Sequence, residues 1–213
     1  MTRPLPLALG VLALAGAWLG PLPALAPEYF SAHMTLHMAV VAVAAPLIAL
    51  GLAGGRLDPA LRFPRLFSPI PASVVELVVV WAWHAPALHR AARADEAGLL
   101  AEQAMFLAAG LLVWMSAFGG GAGGAGSRAG AGVVALLLTS MHMTLLGALL
   151  ALSPRPLYAG GASGLHAHAA LDEQHLGGAI MLLVGGASYL AGGLWLSATL
   201  LRARAARPAG ERA

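Results

Sequence analysis

The chain has 213 residues, 59% of them hydrophobic and only 10% charged, where a soluble domain carries about 25%. That leaves no room for a separate soluble domain and predicts an all-α, polytopic membrane helix bundle. All twelve basic residues are arginine, set against nine acidic ones, and cysteine is absent, which excludes disulfides, zinc knuckles, thiolate sites and a catalytic lysine; the arginines are scattered over loop ends and a tail, so they read as topology signals and not as a nucleic-acid surface.

A membrane span needs about 20 apolar residues. The first candidate is Pro4–Ala26. Arg3 before an apolar run, with Ala24–Ala26 after it, resembles a signal peptide. Pro27 disfavours cleavage, so an uncleaved helix is expected, bent near Pro21 and Pro23. The second span is about His33–Leu52 and the third about Ile70–Ala85. The fourth is Ala97–Phe118, followed by the glycine run GGGAGGAG at 119–126, a flexible connection. The fifth is Ala131–Leu152. A loop, Ser153–Glu173, leads to the sixth, about His175–Leu201. The whole reads as one transmembrane domain, residues 1–201, with a basic tail at 202–213.

Six spans put both termini on one side. With both in the cytoplasm (N-in/C-in), nine arginines lie inside and Arg90, Arg93 and Arg155 lie outside. The histidines then gather at the outer face. His33 and His37 open span two, His84 and His89 end span three, His166 and His168 lie in the outer loop, and His175 opens span six. Only His142, near the middle of span five, is deeper.

Four stretches carry candidate chemistry. In HMTLHM, His33 and His37 share one helical face, and Met34 and Met38 the next. Imidazole suits copper, zinc, iron and nickel, and thioether selects Cu(I). A cysteine-free His/Met set facing an oxidising compartment fits copper handling; interfacial anchoring is the bland alternative. Met141-His142-Met143 lies on span five, and its three side chains cannot all face one way. His142 points inward, either towards a metal or towards Thr139, Ser140 or Thr144. In WAWHAPALH, Pro86 ends the helix just beyond His84 and leaves His89 more exposed. In GLHAHAALDEQHLGG, His166, His168 and His175 form an entry or transfer set, with Asp172 a further candidate ligand. Helix capping is the alternative for Asp172 and Glu173. Glu76 reads as paired with a cytoplasmic-side arginine, as a helix–helix hydrogen-bonding group or as a proton relay, and Glu102 and Gln103 as a polar pair able to close the site. The glycine pairs at 177–178, 185–186 and 192–193 predict a small-residue face for close helix packing.

HMTLHMAVVAVAAPLIALG, VVWAWHAPALH, MHMTLLGALL with LSPRPLY, and LDEQHLGG resemble, in order, the motifs of the CtaG family of multi-span cytochrome c oxidase assembly factors, from His33 to Tyr189. The resemblance implies a role in maturing haem–copper oxidases in a bacterial cytoplasmic membrane, through copper delivery at the outer face. It maps the family's histidines onto His33, His37, His84 and His142, and its aspartate–glutamine element onto Asp172 and Gln174. The fifth-to-sixth loop is short for the family.

The leading expectation is a bundle that binds Cu(I) extracytoplasmically, with His33, His37, His84 and His142 as core ligands and Met34, Met38, Met141 and Met143 as softer ones. Ligand exchange needs no bond-making step, so the chain is not expected to be an enzyme. Its partners would be a haem–copper oxidase subunit or another copper chaperone, within the lipid bilayer; self-association is compatible with this. Three rivals stand beside it: an intramembrane zinc hydrolase using Glu102, Asp172 or Glu173 as base, a bis-histidine haem b protein, and a metal-free scaffold.

Overall fold

A computed structural model describes residues 3–120, 125–158 and 165–205, and among these the chain forms helices and no strands. The elements are α1 (Pro4–Leu19), α2 (Leu22–Leu25), and α3 (Phe30–Met38), which runs through a π-helical segment (Ala39–Ala44) into α4 (Ala45–Leu52). Then come α5 (Pro59–Arg62), α6 (Pro69–His84), α7 (Pro86–Ala92), α8 (Glu96–Phe118) and α9 (Ala125–Ala151). Finally α10 (Leu165–Ile180) continues through a second π-helical segment (Met181–Gly185) into α11 (Gly186–Ala205).

Four helical runs are long and apolar enough to cross a membrane: Phe30–Leu52, Glu96–Phe118, Arg128–Ala151 and His168–Ala203. The count differs from six for physical reasons. Proline breaks the other two runs. Gly20 and Pro21 stop α1 after 16 residues. Pro86 forces the preceding Ala85 into extended backbone (φ −65°, ψ 134°), so α7 leaves α6 at 77°.

Neighbouring runs are antiparallel. The backbone N–H of Arg3 donates to Gly51 O at 2.9 Å, so α1 starts where α4 ends. A Cβ on Gly147 would lie 2.7 Å from Leu182 N, which only glycine permits; α9 thus packs backbone to backbone on the second π segment. The three glycine pairs of the last run serve the same close packing, with Gly178 against Ala151 and Gly192 against the Trp114 ring.

Proline also explains how the helix that carries HMTLH is joined to its neighbours. Pro46 has no N–H to offer the carbonyl four residues back, Ala42. That carbonyl accepts instead from Ser188 Oγ–H at 2.7 Å, and Val41 O accepts from Trp114 Nε1–H at 2.9 Å. The π-helical segment thereby docks on α8 and α11 through side-chain hydrogen bonds. At this end of the bundle, buried Asp58 accepts from the N–H groups of Gly54 (2.8 Å), Ala60 (2.9 Å) and Gly120 (3.0 Å), tying two connections together. Arg128 donates to Phe67 O there at 2.8 Å.

Besides the proline breaks, three boundaries move by a turn or more, the first being that α9 starts at Ala125, inside the glycine run read as a flexible connection. α10 begins at Leu165, so His166 and His168 sit on a helix and not in a loop; alanines at 167, 169 and 170 sustain the helix beyond the apolar stretch. α11 runs on to Ala205, into the stretch read as tail. Residues 121–124 of the glycine run, 159–164 of the loop and 206–213 of the tail lie outside the described residues.

Candidate metal centre

At the end of the bundle opposite Asp58, α3, α6 and α7 bring four imidazoles together. His33 and His37, one turn apart on α3, are both fully buried. His84, at the last turn of α6, sits 5.5 Å from His33 and 5.3 Å from His37 between ring centres. His89, on α7, lies 5.1 Å from His33. Here the structure corrects the sequence reading. His89 was expected to be exposed beyond the proline, yet it is only 7% exposed. Pro86 ends α6 but also starts α7, and the bend swings His89 back over the cluster.

The hydrogen bonding leaves several ring nitrogens without a partner among the described residues. His84 Nδ1–H donates to Val80 O at 2.6 Å, leaving the Nε2 lone pair free to ligate. His37 Nδ1 and Nε2, His33 Nε2, His84 Nε2 and His89 Nδ1 are buried without a hydrogen-bond partner among the described residues. Orphaning several buried polar atoms at one point is costly unless something else binds them. For an ion about 2.0–2.1 Å from each imidazole nitrogen, trigonal or tetrahedral geometry sets neighbouring ring centres roughly 5–5.5 Å apart. The 5.1, 5.3 and 5.5 Å separations fall in that range; His33 and His37 are wider apart, at 6.4 Å.

The surroundings are aromatic on two sides and ionic on the third. The Phe106 ring sits 3.9 Å from His37. Tyr158 packs on His89 at 4.2 Å and on Phe30 at 4.6 Å, and its hydroxyl donates to His84 O at 2.8 Å. Burial pushes that hydroxyl above the usual tyrosine range, so it stays a donor. Gln174 holds the connecting segment in place, accepting from Leu157 N–H at 2.6 Å and donating to Leu150 O and Arg155 O. On the third side Arg93 forks onto Glu102 (2.8 and 3.2 Å) and donates to His33 Nδ1. Gln103 donates to the same carboxylate at 3.3 Å. One ligand atom each from His33, His89 and Glu102 lies within 4.8 Å of the others.

The other predicted residues lie elsewhere. His142 has no ring contact with the four histidines among the described residues. It lines a lipid-side groove of about 740 Å³ between α6 and α9, with Leu77 and Leu145. Two of its three expected hydroxyl partners are engaged elsewhere: Thr139 bonds Ser73 at 2.9 Å and Ser140 donates to Gly186 O at 3.1 Å. The methionine stripe of α3 faces a different neighbour from the histidine stripe. A Cβ at Gly177 would meet Met34 at 3.0 Å, and one at Gly185 would meet Met38 at 3.2 Å and Met143 at 3.5 Å. These thioethers fill the joint between the second and last runs. Met141 is 68% exposed on the outer surface of α9.

His168 and Asp172 are exposed on α10, and the His166 side chain lies outside the described residues. His175 Nε2 bonds Ser153 O at 2.9 Å, which fastens the connecting segment. Glu173 is a cap, but not for its own helix: α10 starts eight residues earlier, and its carboxylate accepts from Ser31 N–H (3.1 Å) and Oγ–H (2.6 Å) at the start of α3. Glu76 is fully buried and accepts from the Tyr189 hydroxyl, the helix–helix bond expected of it.

Arg93, Phe106 and Tyr158 were not singled out from sequence. Arg93 counted as a topology charge, and Tyr158 belonged to the quoted LSPRPLY without a role.

Residues 2–203 match the family model described as cytochrome c oxidase caa3 assembly factor (Caa3_CtaG). Searches of curated proteins and of solved structures found no match.

Proposed function

We infer what this chain does from the family it belongs to, the cytochrome c oxidase caa3 assembly factors (Caa3_CtaG), and from the chemistry of its buried histidines. It is a membrane-embedded factor for haem–copper oxidase assembly that holds a cuprous ion as cargo and hands it on. His33, His37 and His84 are the core ligands, with His89 beside them, which revises the expected fourth ligand from His142 to His89.

The observation that carries this reading is the set of five ring nitrogens without a hydrogen-bond partner among the described residues, on four buried histidines whose neighbouring ring centres lie 5.1–6.4 Å apart. A cysteine-free imidazole set binds copper without exposing thiols to oxidation. With His89 lining it, a cleft of about 290 Å³ between Glu28, Tyr29, Tyr158 and Glu173 offers the route between the cluster and the bundle's surface. Arginines cluster at the opposite end, in the connections holding Arg56, Arg62, Arg65 and Arg128; this supports an extracytoplasmic cluster in a bacterial cytoplasmic membrane. Arg93 drops out of that vote because it is ion-paired within the site.

The rival readings meet physical obstacles. A zinc hydrolase needs a free carboxylate beside the metal to activate water; Glu102 is clamped by Arg93, Glu173 caps α3 and Asp172 lies exposed on α10. A bis-histidine haem needs a slot beside its ligands, which Phe106 fills at His37.

The test is genetic. In cells lacking the native factor, the wild-type chain restores copper-replete oxidase, measured as active enzyme and as copper per haem in the purified oxidase. His84→Ala lowers both about tenfold or more, removing a ligand whose orienting bond alone is worth 10–100-fold. Full oxidase copper with His84→Ala would defeat the reading.

A further inference from the structure

The arginine fork inside the site has a consequence for how copper is held. A neutral imidazole that accepts a hydrogen bond at Nδ1 carries its proton on Nε2. Arg93 donates to His33 Nδ1, so His33 Nε2, buried without a partner among the described residues, has no lone pair to give. Arg93 also neutralises Glu102 through both carboxylate oxygens. Glu102 Oε2 stands 3.5 Å from His33 Nδ1, near enough to accept from it once the guanidinium is gone. A carboxylate accepting from the far ring nitrogen is the arrangement that orients metal-bound histidines.

We propose that Arg93 is a built-in cation that competes with copper for this site. In one state the guanidinium pairs with Glu102 and holds His33 in the tautomer that does not ligate. In the other, a cuprous ion takes its place: Arg93 withdraws, the His33 proton sits on Nδ1 and bonds Glu102, and Nε2 joins His37 and His84 around the ion. One positive charge replaces another beside Glu102, so no net charge is added to a low-dielectric interior. Return of the guanidinium weakens the bound state and promotes release to an acceptor. Arg93 caps α7 at the turn before α8, where Ala94 and Asp95 are exposed, and its guanidinium also donates to His89 O at 3.3 Å. This rests on the copper-site reading above.

The experiment is a competition titration of the purified full-length chain in detergent, Cu(I) against a chromophoric Cu(I) chelator, for wild type and Arg93→Gln. The wild type binds copper. Arg93→Gln binds it about tenfold more tightly and gives it up more slowly. It also melts lower without metal and gains more Tm from copper, because the ion then supplies the charge that Glu102 lacks. Equal or weaker affinity in Arg93→Gln, with the wild type binding, overturns the displacement model and leaves the copper site standing. A wild type that binds no copper removes both.

A second measurement keeps Arg93 in place. Ala94→Cys is the sole thiol of a cysteine-free chain, and a maleimide spin label there reports the turn. Cu(I) changes the label's mobility if Arg93 is displaced; an unchanged spectrum at saturating copper contradicts displacement.

Discussion

Purified His37→Ala retains less than about a tenth of the copper that the wild type binds, whereas His142→Ala retains all of it. His37 is fully buried, and both its ring nitrogens lack a partner among the described residues. It therefore contributes nothing to the fold through hydrogen bonds, and its polar atoms are a burden unless an ion takes them up. Truncation relieves that burden, so the variant is expected to fold and to melt within about 1–2 kcal/mol of the wild type while losing a first-rank ligand. His142 sits in a separate groove between α6 and α9. Its removal leaves the spacing of the four-ring cluster untouched. Metal analysis of the two variants after gel filtration decides the matter. Copper lost equally from both would mean that α9 reaches the cluster in the working protein.

Glu102→Ala is expected to be the most destabilising single change at the site. It leaves the Arg93 guanidinium, 10% exposed, facing buried imidazoles with no counter-charge. Removing one partner of a buried ion pair costs about 3–5 kcal/mol, and replacing both with apolar groups is often neutral or stabilising. The single variant should therefore melt roughly 10 °C lower. The double variant Arg93→Met with Glu102→Met should recover most of that loss. A double variant as unstable as Glu102→Ala would show that the carboxylate supports the fold by some route other than its arginine.

How much was legible in the chain follows from the distance over which each signal acts. HMTLH declared the face shared by His33 and His37 through a four-residue period alone, and the adjacent proline declared the place of His84 at a helix end. The pairing of His37 with His84 follows once both helix ends are put at one membrane face. His89 was misread because a proline that ends one helix was not also read as the start of the next; after the 77° turn α7 packs against α8. Met34 and Met38 show the limit of a helical-wheel argument. Two adjacent stripes on α3 diverge onto α6 and α8 on one side and onto the last run on the other. Tyr158 reaches His84 only because Gln174 and His175 pin a segment 17–22 residues away in sequence. Arg93 is the clearest case: arginine at a predicted membrane edge is ordinarily a topology signal, and only the fold shows it turned inwards onto Glu102.

The central claim, a cuprous ion held by the buried histidines of α3 and α6, is tested most directly by copper K-edge X-ray absorption on the Cu(I)-loaded, purified chain. The account predicts a first shell of three to four nitrogen scatterers at about 2.0 Å, with the outer-shell pattern of imidazole and no sulfur. A shell of sulfur scatterers would place copper at the Met38 and Met143 joint, and a chain that carries no copper after loading would contradict the account outright.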